Sequence, residues 1–131
     1  MAQILTQEHY PDMFTTIVIP VLDTPIDTAV FYAEDTSGEF NKTWVVDSAI
    51  LVLSTNGTSV SAKLEVNTSA AAGGSEICSF APTDSVASTK VGTISTTYNE
   101  VPPGSYLVLN WTGTTTDSKG VLILRMRTRL A

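Results

Sequence analysis

The sequence predicts an all-β fold, an antiparallel β-sandwich of about eight strands, and the strand number favours a jelly roll. Three observations predict it. Val, Ile and Thr supply 41 of the 131 residues, and β-branched side chains suit a pleated, half-buried surface better than a helix. Clusters of Gly, Pro, Asn, Asp and Ser punctuate the chain at roughly strand-length intervals, as in sandwiches and barrels. No stretch reads as a convincing helix. An immunoglobulin-like sandwich is the alternative arrangement, although its Cys…Trp…Cys framework is absent.

Taken in order, residues 1–13 read as an N-terminal arm that combines Gln3, Gln7, Glu8, His9, Tyr10, Pro11 and Asp12 with a brief apolar pair at Ile4 and Leu5, and residues 14–131 as a single sandwich domain. Ile17 and Ile19 alternate with Thr16 and Val18 in a short strand whose Pro20 argues for an edge or an end. A second strand over 26–34 places Ala29, Phe31 and Ala33 on one face and Val30 and Tyr32 on the other. The strand over 44–54 is apolar on both faces in its second half, as expected where a packed sheet or a neighbouring subunit covers each side. Asn56-Gly57 predicts a hairpin turn, with a returning strand that points Val60, Ala62, Leu64 and Val66 inward. Further strands are expected at 76–80, 90–98, 106–112 and 121–128, with a Pro-Gly turn at 101–105.

Composition narrows the function. The net charge is −6 and the seven basic residues form no stripe able to neutralise a phosphate backbone, so nucleic-acid binding is not expected. No apolar run approaches the length of a membrane span, so no membrane partner is expected. The first residues lack the pattern of a signal peptide, and the single cysteine, Cys78, permits no internal disulfide; both fit a chain made in a reducing cytoplasm. No cofactor or metal is expected: Asp35, Ser37 and Glu39 recapitulate only part of a calcium loop. Catalysis lacks a candidate base, since the one histidine, His9, lies in the arm, and Cys78 beside Ile77 and Phe80 reads as a small buried residue. No enzyme is expected.

Two groups of side chains suggest contacts instead. Period-2 reading of the last strand puts Leu122, Leu124, Met126 and Leu130 on one face and Arg125, Arg127 and Arg129 on the other. That ladder is either a solvated face paired with acids on a neighbouring strand or a contact for an acidic partner surface. Tyr98 and Trp111 are candidates for a sugar-binding platform, against the plainer reading that they fill the core.

The second half resembles the head decoration, or cement, proteins of tailed bacteriophages. The pieces that carry the resemblance are the strand–Asn-Gly–strand unit at 53–60, the Gly/Ala-rich segment at 70–75, the Val101-Pro102-Pro103-Gly104-Ser105 turn into an apolar strand at 106–111, and the final strand at 121–127 ending in arginines. They span about residues 44–129. The resemblance implies a structural protein on the outside of a virion, a homotrimer bound to the major capsid protein, without catalysis. Ile4, Leu5 and Tyr10 of the arm, Leu51 and Leu53 of the two-faced strand, and Arg125, Arg127 and Arg129 are then the expected interface residues. Related jelly rolls occur in head and tail fibres, which leaves a carbohydrate- or receptor-binding domain using Tyr98 and Trp111 as the alternative.

Overall fold

A computed structural model describes residues 14–35 and 41–130. They form nine strands and no helix: β1 (Phe14–Val21), β2 (Thr28–Tyr32), β3 (Lys42–Thr55), β4 (Thr58–Asn67), β5 (Ser75–Phe80), β6 (Ser88–Val91), the two-residue β7 (Glu100–Val101), β8 (Tyr106–Thr114) and β9 (Lys119–Leu130). One sheet has the order β1-β9-β3-β6, with β7 also on β3, and the other has the order β2-β8-β4-β5. All pairings are antiparallel. With β7 set aside, the pairings nest: β1 with β9, β2 with β8, β3 with β6, and β4 with β5. A long hairpin rolled into two four-stranded sheets gives this nesting, so the sandwich is a jelly roll.

The core lies between the sheets. Leu51, Leu53, Leu122, Leu124 and Met126 face it from the first sheet, and Leu64, Ile77, Leu107 and Leu109 from the second. Phe31 meets Trp44 edge to face across the two sheets, with centroids 5.3 Å apart, an arrangement the ring quadrupoles favour. Ile17 and Ile19 pack on its margin from β1.

Three expectations change. The Asn56-Gly57 segment joins no hairpin, because β3 and β4 belong to different sheets and never pair. It is a corner that hands the chain from one layer to the other. Gly57 is required there for closeness, since a Cβ would sit 1.8 Å from the Thr114 carbonyl oxygen. In β2 a register shift between Ala29 and Phe31 breaks the strict alternation, so Val30 and Phe31 both reach the core. The long strand expected at 90–98 stops at Val91, and the chain reaches the sheet again only at β7. The turn at 101–105 forms as expected: Gly104 has φ +85° and the Ser105 N–H donates to the Pro102 carbonyl at 3.1 Å.

The two outer faces differ in kind. On the second sheet Lys63, Asn110 and Ser79 lie side by side, and Ser61 shares a hydrogen bond with Thr112. On the first sheet the register aligns Val18, Ile123, Ile50 and Val91 in one row across all four strands. The next row is Pro20, Val121, Val52 and Thr89. Val18 is 58% exposed and Val91 69%, so this aliphatic band is uncovered by the described residues.

Candidate interaction surfaces

One end of the jelly roll gathers four connections: residues 22–27, the corner at 56–57, residues 81–87 and residues 115–118. Their polar groups are spent on holding one another. The Asn56 side-chain amide donates to the Thr83 carbonyl at 2.8 Å and its oxygen accepts from the Ser118 hydroxyl at 2.8 Å. The Gly57 N–H donates to that same Ser118 oxygen at 2.9 Å, and the Ser85 N–H to the Gly57 carbonyl at 3.0 Å. Asp84 accepts from the Ser59 N–H at 2.8 Å, and the Thr115 hydroxyl donates to the Pro25 carbonyl at 3.0 Å. Asn56 and Ser118 are buried, so the bonds between them form away from competing water.

The same end holds the strained backbone. Among the described residues the non-glycine positive φ values are Thr24 at 57°, Ser59 at 53°, Ser85 at 57° and Asp117 at 67°, all in or beside these loops. For β-branched Thr24 this region is sterically costly, and it persists where the surroundings fix the chain. Onto this braced end the loops project Leu22 (74% exposed), Ile26 (76%) and Val86 (51%). Behind Leu22 and Ile26 an apolar groove of about 470 Å³ opens between β1 and β2, floored by Val30, Leu109 and Trp111. Asp23, Asp117 and Lys119 line a small cleft on the same end.

The expected site residues divide. Ile4, Leu5, Tyr10 and His9 lie outside the described residues. Leu51 and Leu53 are not interface residues: both are fully buried in the core, because the inward phase of β3 falls on odd numbers after its bulge. Ile50 and Val52 are the solvent-side positions of that segment. The arginine ladder is mostly internal to the domain. Arg129 makes a two-point contact with Glu100 at 3.2 and 2.6 Å, and Arg127 reaches Asp47 at 3.1 Å. Asp47 is the extra residue of the β3 bulge between Val46 and Ser48, which turns its carboxylate to the arginine side. Arg125 is exposed and has no charged partner among the described residues.

The proposed sugar platform does not assemble. Trp111 is only 8% exposed and belongs to the core, whereas Tyr98 is 51% exposed at the other end of the roll. Tyr98 borders an open cleft of about 560 Å³ with Asn67, Thr68 and Glu100. The Asn67 amide is engaged with the Ala71 carbonyl and the Glu100 carboxylate with Arg129. Cys78 is buried, and burial first, with the Glu76 charge second, pushes its thiol up to about 12. Among the described residues no group of three His, Cys, Asp or Glu side chains is placed to hold a metal ion.

Sequence reading missed the loop end because its residues are ordinary turn formers. The signal available was the isolated apolar side chains Leu22, Ile26 and Val86 inside polar, proline-containing loops, where solvent alone would favour polar ones. Compared with known protein families, curated proteins and solved structures, the chain matches none.

Proposed function

We propose that the protein is a structural component of a phage virion, a decoration or cement protein that binds the outer surface of the capsid as a homotrimer. The observation that carries this reading is the braced loop end, where strained and mutually bonded loops hold Leu22, Ile26 and Val86 out to solvent beside an apolar groove. A rigid apolar surface loses little conformational freedom when a partner covers it, which suits a protein whose work is adhesion. The jelly-roll arrangement and the resemblance of residues 44–129 to decoration proteins support placing that partner in the major capsid protein. Asp23 and Asp117 beside the apolar groups favour a capsid surface with basic residues at its rim.

The test is binding to capsids stripped of this protein. Wild type should bind in stoichiometric copies over the shell, and the double variant Leu22→Asp/Ile26→Asp should bind at least about 30-fold more weakly, the loss of a central anchor, with an unchanged unfolding midpoint. Full occupancy by the variant would sink the reading, and a few copies at one vertex or on the tail would move it to a fibre. The glycan-binding alternative keeps one favourable observation, the exposed Tyr98 on an open cleft. Glycan-array binding that disappears in Tyr98→Ala would support it.

A further inference from the structure

The sandwich has two seams where the edges of its sheets meet, and the described residues close one of them. On the β5–β6 side, residues 92–99 cross from sheet to sheet. The Gly92 N–H donates to the Ala49 carbonyl on β3, the Ser95 N–H to the Ile77 carbonyl on β5, and the Val46 N–H to the Asn99 carbonyl. Gly92 lies so close over Cys78 that a Cβ would sit 2.6 Å from its sulfur. On the β1–β2 side no described strand pairs with either outer edge, and the apolar groove floored by Val30, Leu109 and Trp111 opens between them. Ile17 and Ile19, which reach the core margin from β1, are only half-buried there.

The four sheet edges are also guarded unequally. An open edge invites another strand, and proteins block it with shortness, bulges, charges or a covering segment. β6 has four residues and sets Lys90 opposite Leu51, on the core-facing phase. β2 has five residues and a register shift. β5 carries Glu76 and receives the Ser95 N–H. β1 has eight residues, an unbroken register against β9 and no charged side chain. Its one guard is Pro20, which lies next to the strand end and removes a single donor. This edge is apolar on both phases, with Phe14, Val18 and Pro20 outward and Ile17 and Ile19 inward. A strand laid on it needs apolar residues on both faces, and β1 is itself such a strand. A second copy supplies it. The chain carries a net charge of −6, and two copies repel least along a strand without charge.

We propose that two copies pair β1 with β1, antiparallel about a two-fold axis normal to the sheet, so that their first sheets become one continuous sheet. Residues directly opposite in an antiparallel pair share a face, so the axis passes through a central residue, Ile17 or Val18. Ile17 and Ile19 of each copy then extend the core margin of the other, and the Val18 rows run on as one band. Such an isologous contact uses the same surface on both sides. It goes beyond the virion reading and does not rest on it. Leu22 and Ile26 lie past the paired segment, and a two-fold contact is separate from any three-fold contact of a trimer.

Full-length Val18→Cys, treated with a short bismaleimide, tests the pairing, since an axis at either residue brings the two side chains at position 18 within about 8 Å. The native thiol does not compete, because Cys78 is buried. The expected main product is a covalent dimer, with little from the control Lys63→Cys on the polar face of the second sheet. Equal dimer yields from both would overturn the proposal. Sedimentation equilibrium gives a readout that needs no new thiol. Val18→Lys and Val18→Glu should each weaken self-association at least about 30-fold, the loss of a central contact. An equimolar mixture of the two should associate again, because opposite charges then face each other across the axis, and a misfolded variant would not be rescued in this way. Wild type that stays monomeric at every concentration, association untouched by Val18→Lys, or a mixture without rescue would each refute the pairing.

Discussion

Tyr98 and Trp111 carry similar ring chemistry into opposite surroundings. Trp111 packs its ring against the core, and its backbone N–H donates to the Asp27 carboxylate at 2.6 Å, while Tyr98 stands half in solvent. Trp111→Ala should therefore destabilise the domain by about 3–5 kcal/mol, and Tyr98→Ala by less than about 0.5 kcal/mol, in urea titrations. Similar small losses for both would mean that Trp111 does not anchor the core. Cys78 gives a second prediction at this scale. Its folded-state thiol is raised from 9.0 to about 12, by burial and then by Glu76. The unfolded chain thus releases this proton first as pH rises. The contribution of Cys78 to stability is complete below pH 9 and is lost progressively towards pH 12. Between those limits the stability of wild type should fall more steeply with pH than that of Cys78→Ala, and the difference isolates this thiol from the titrating tyrosines and lysines. Parallel curves would count against it.

At the scale of elements, the strands were more legible than their partners. Period-2 alternation from Val60 to Val66 fixes which side chains face inward, because that pattern is set by the pleat and by burial of one face. Which sheet a strand joins depends on contacts distant in sequence, and a two-residue corner between layers is written with the same Asn-Gly as a hairpin. The distinguishing feature is the approach of Gly57 to the Thr114 and Thr116 carbonyls, which no local pattern encodes. Gly57→Ala should for that reason destabilise the domain by about 2 kcal/mol or more, as overpacking against backbone does. If the residue merely served a flexible turn, the loss would stay within a few tenths. The ion pairs of β9 are the opposite case, legible as an Arg ladder but worth little. Arg127–Asp47 and Arg129–Glu100 are each a third or more exposed, so Asp47→Asn and Glu100→Gln should each cost less than about 1 kcal/mol, and less again in high salt. The loop end was hardest to read, since its bracing by Asn56, Ser118, Thr115 and Asp84 joins residues from four separate connections.

For the whole molecule, the nested pairing has a kinetic consequence. The outermost pair joins Phe14 to Arg127, and β9 cannot complete the first sheet until nearly the whole chain has been gathered. Closing so long a loop before its contacts reward it places folding in the slow range of all-β domains, about milliseconds to seconds. The same geometry puts the start of β1 beside the end of β9. A linker of about six residues from Leu130 back to Phe14 spans the remaining rows and one strand spacing. With new ends opened between the exposed Ser69 and Ala70, that permuted chain turns the longest-range pairing into a local β9–β1 hairpin. Its native contacts are otherwise the same. Refolding in stopped-flow should then be about tenfold faster or more, while equilibrium stability changes little. Because the permuted chain lacks residues 1–13, a single cooperative transition would also establish the sandwich as the folding unit. Refolding at the parent's rate would mean that closure of β1 on β9 is not the slow step, and would shift attention to the β3–β4 corner, where the chain must first divide between the two sheets.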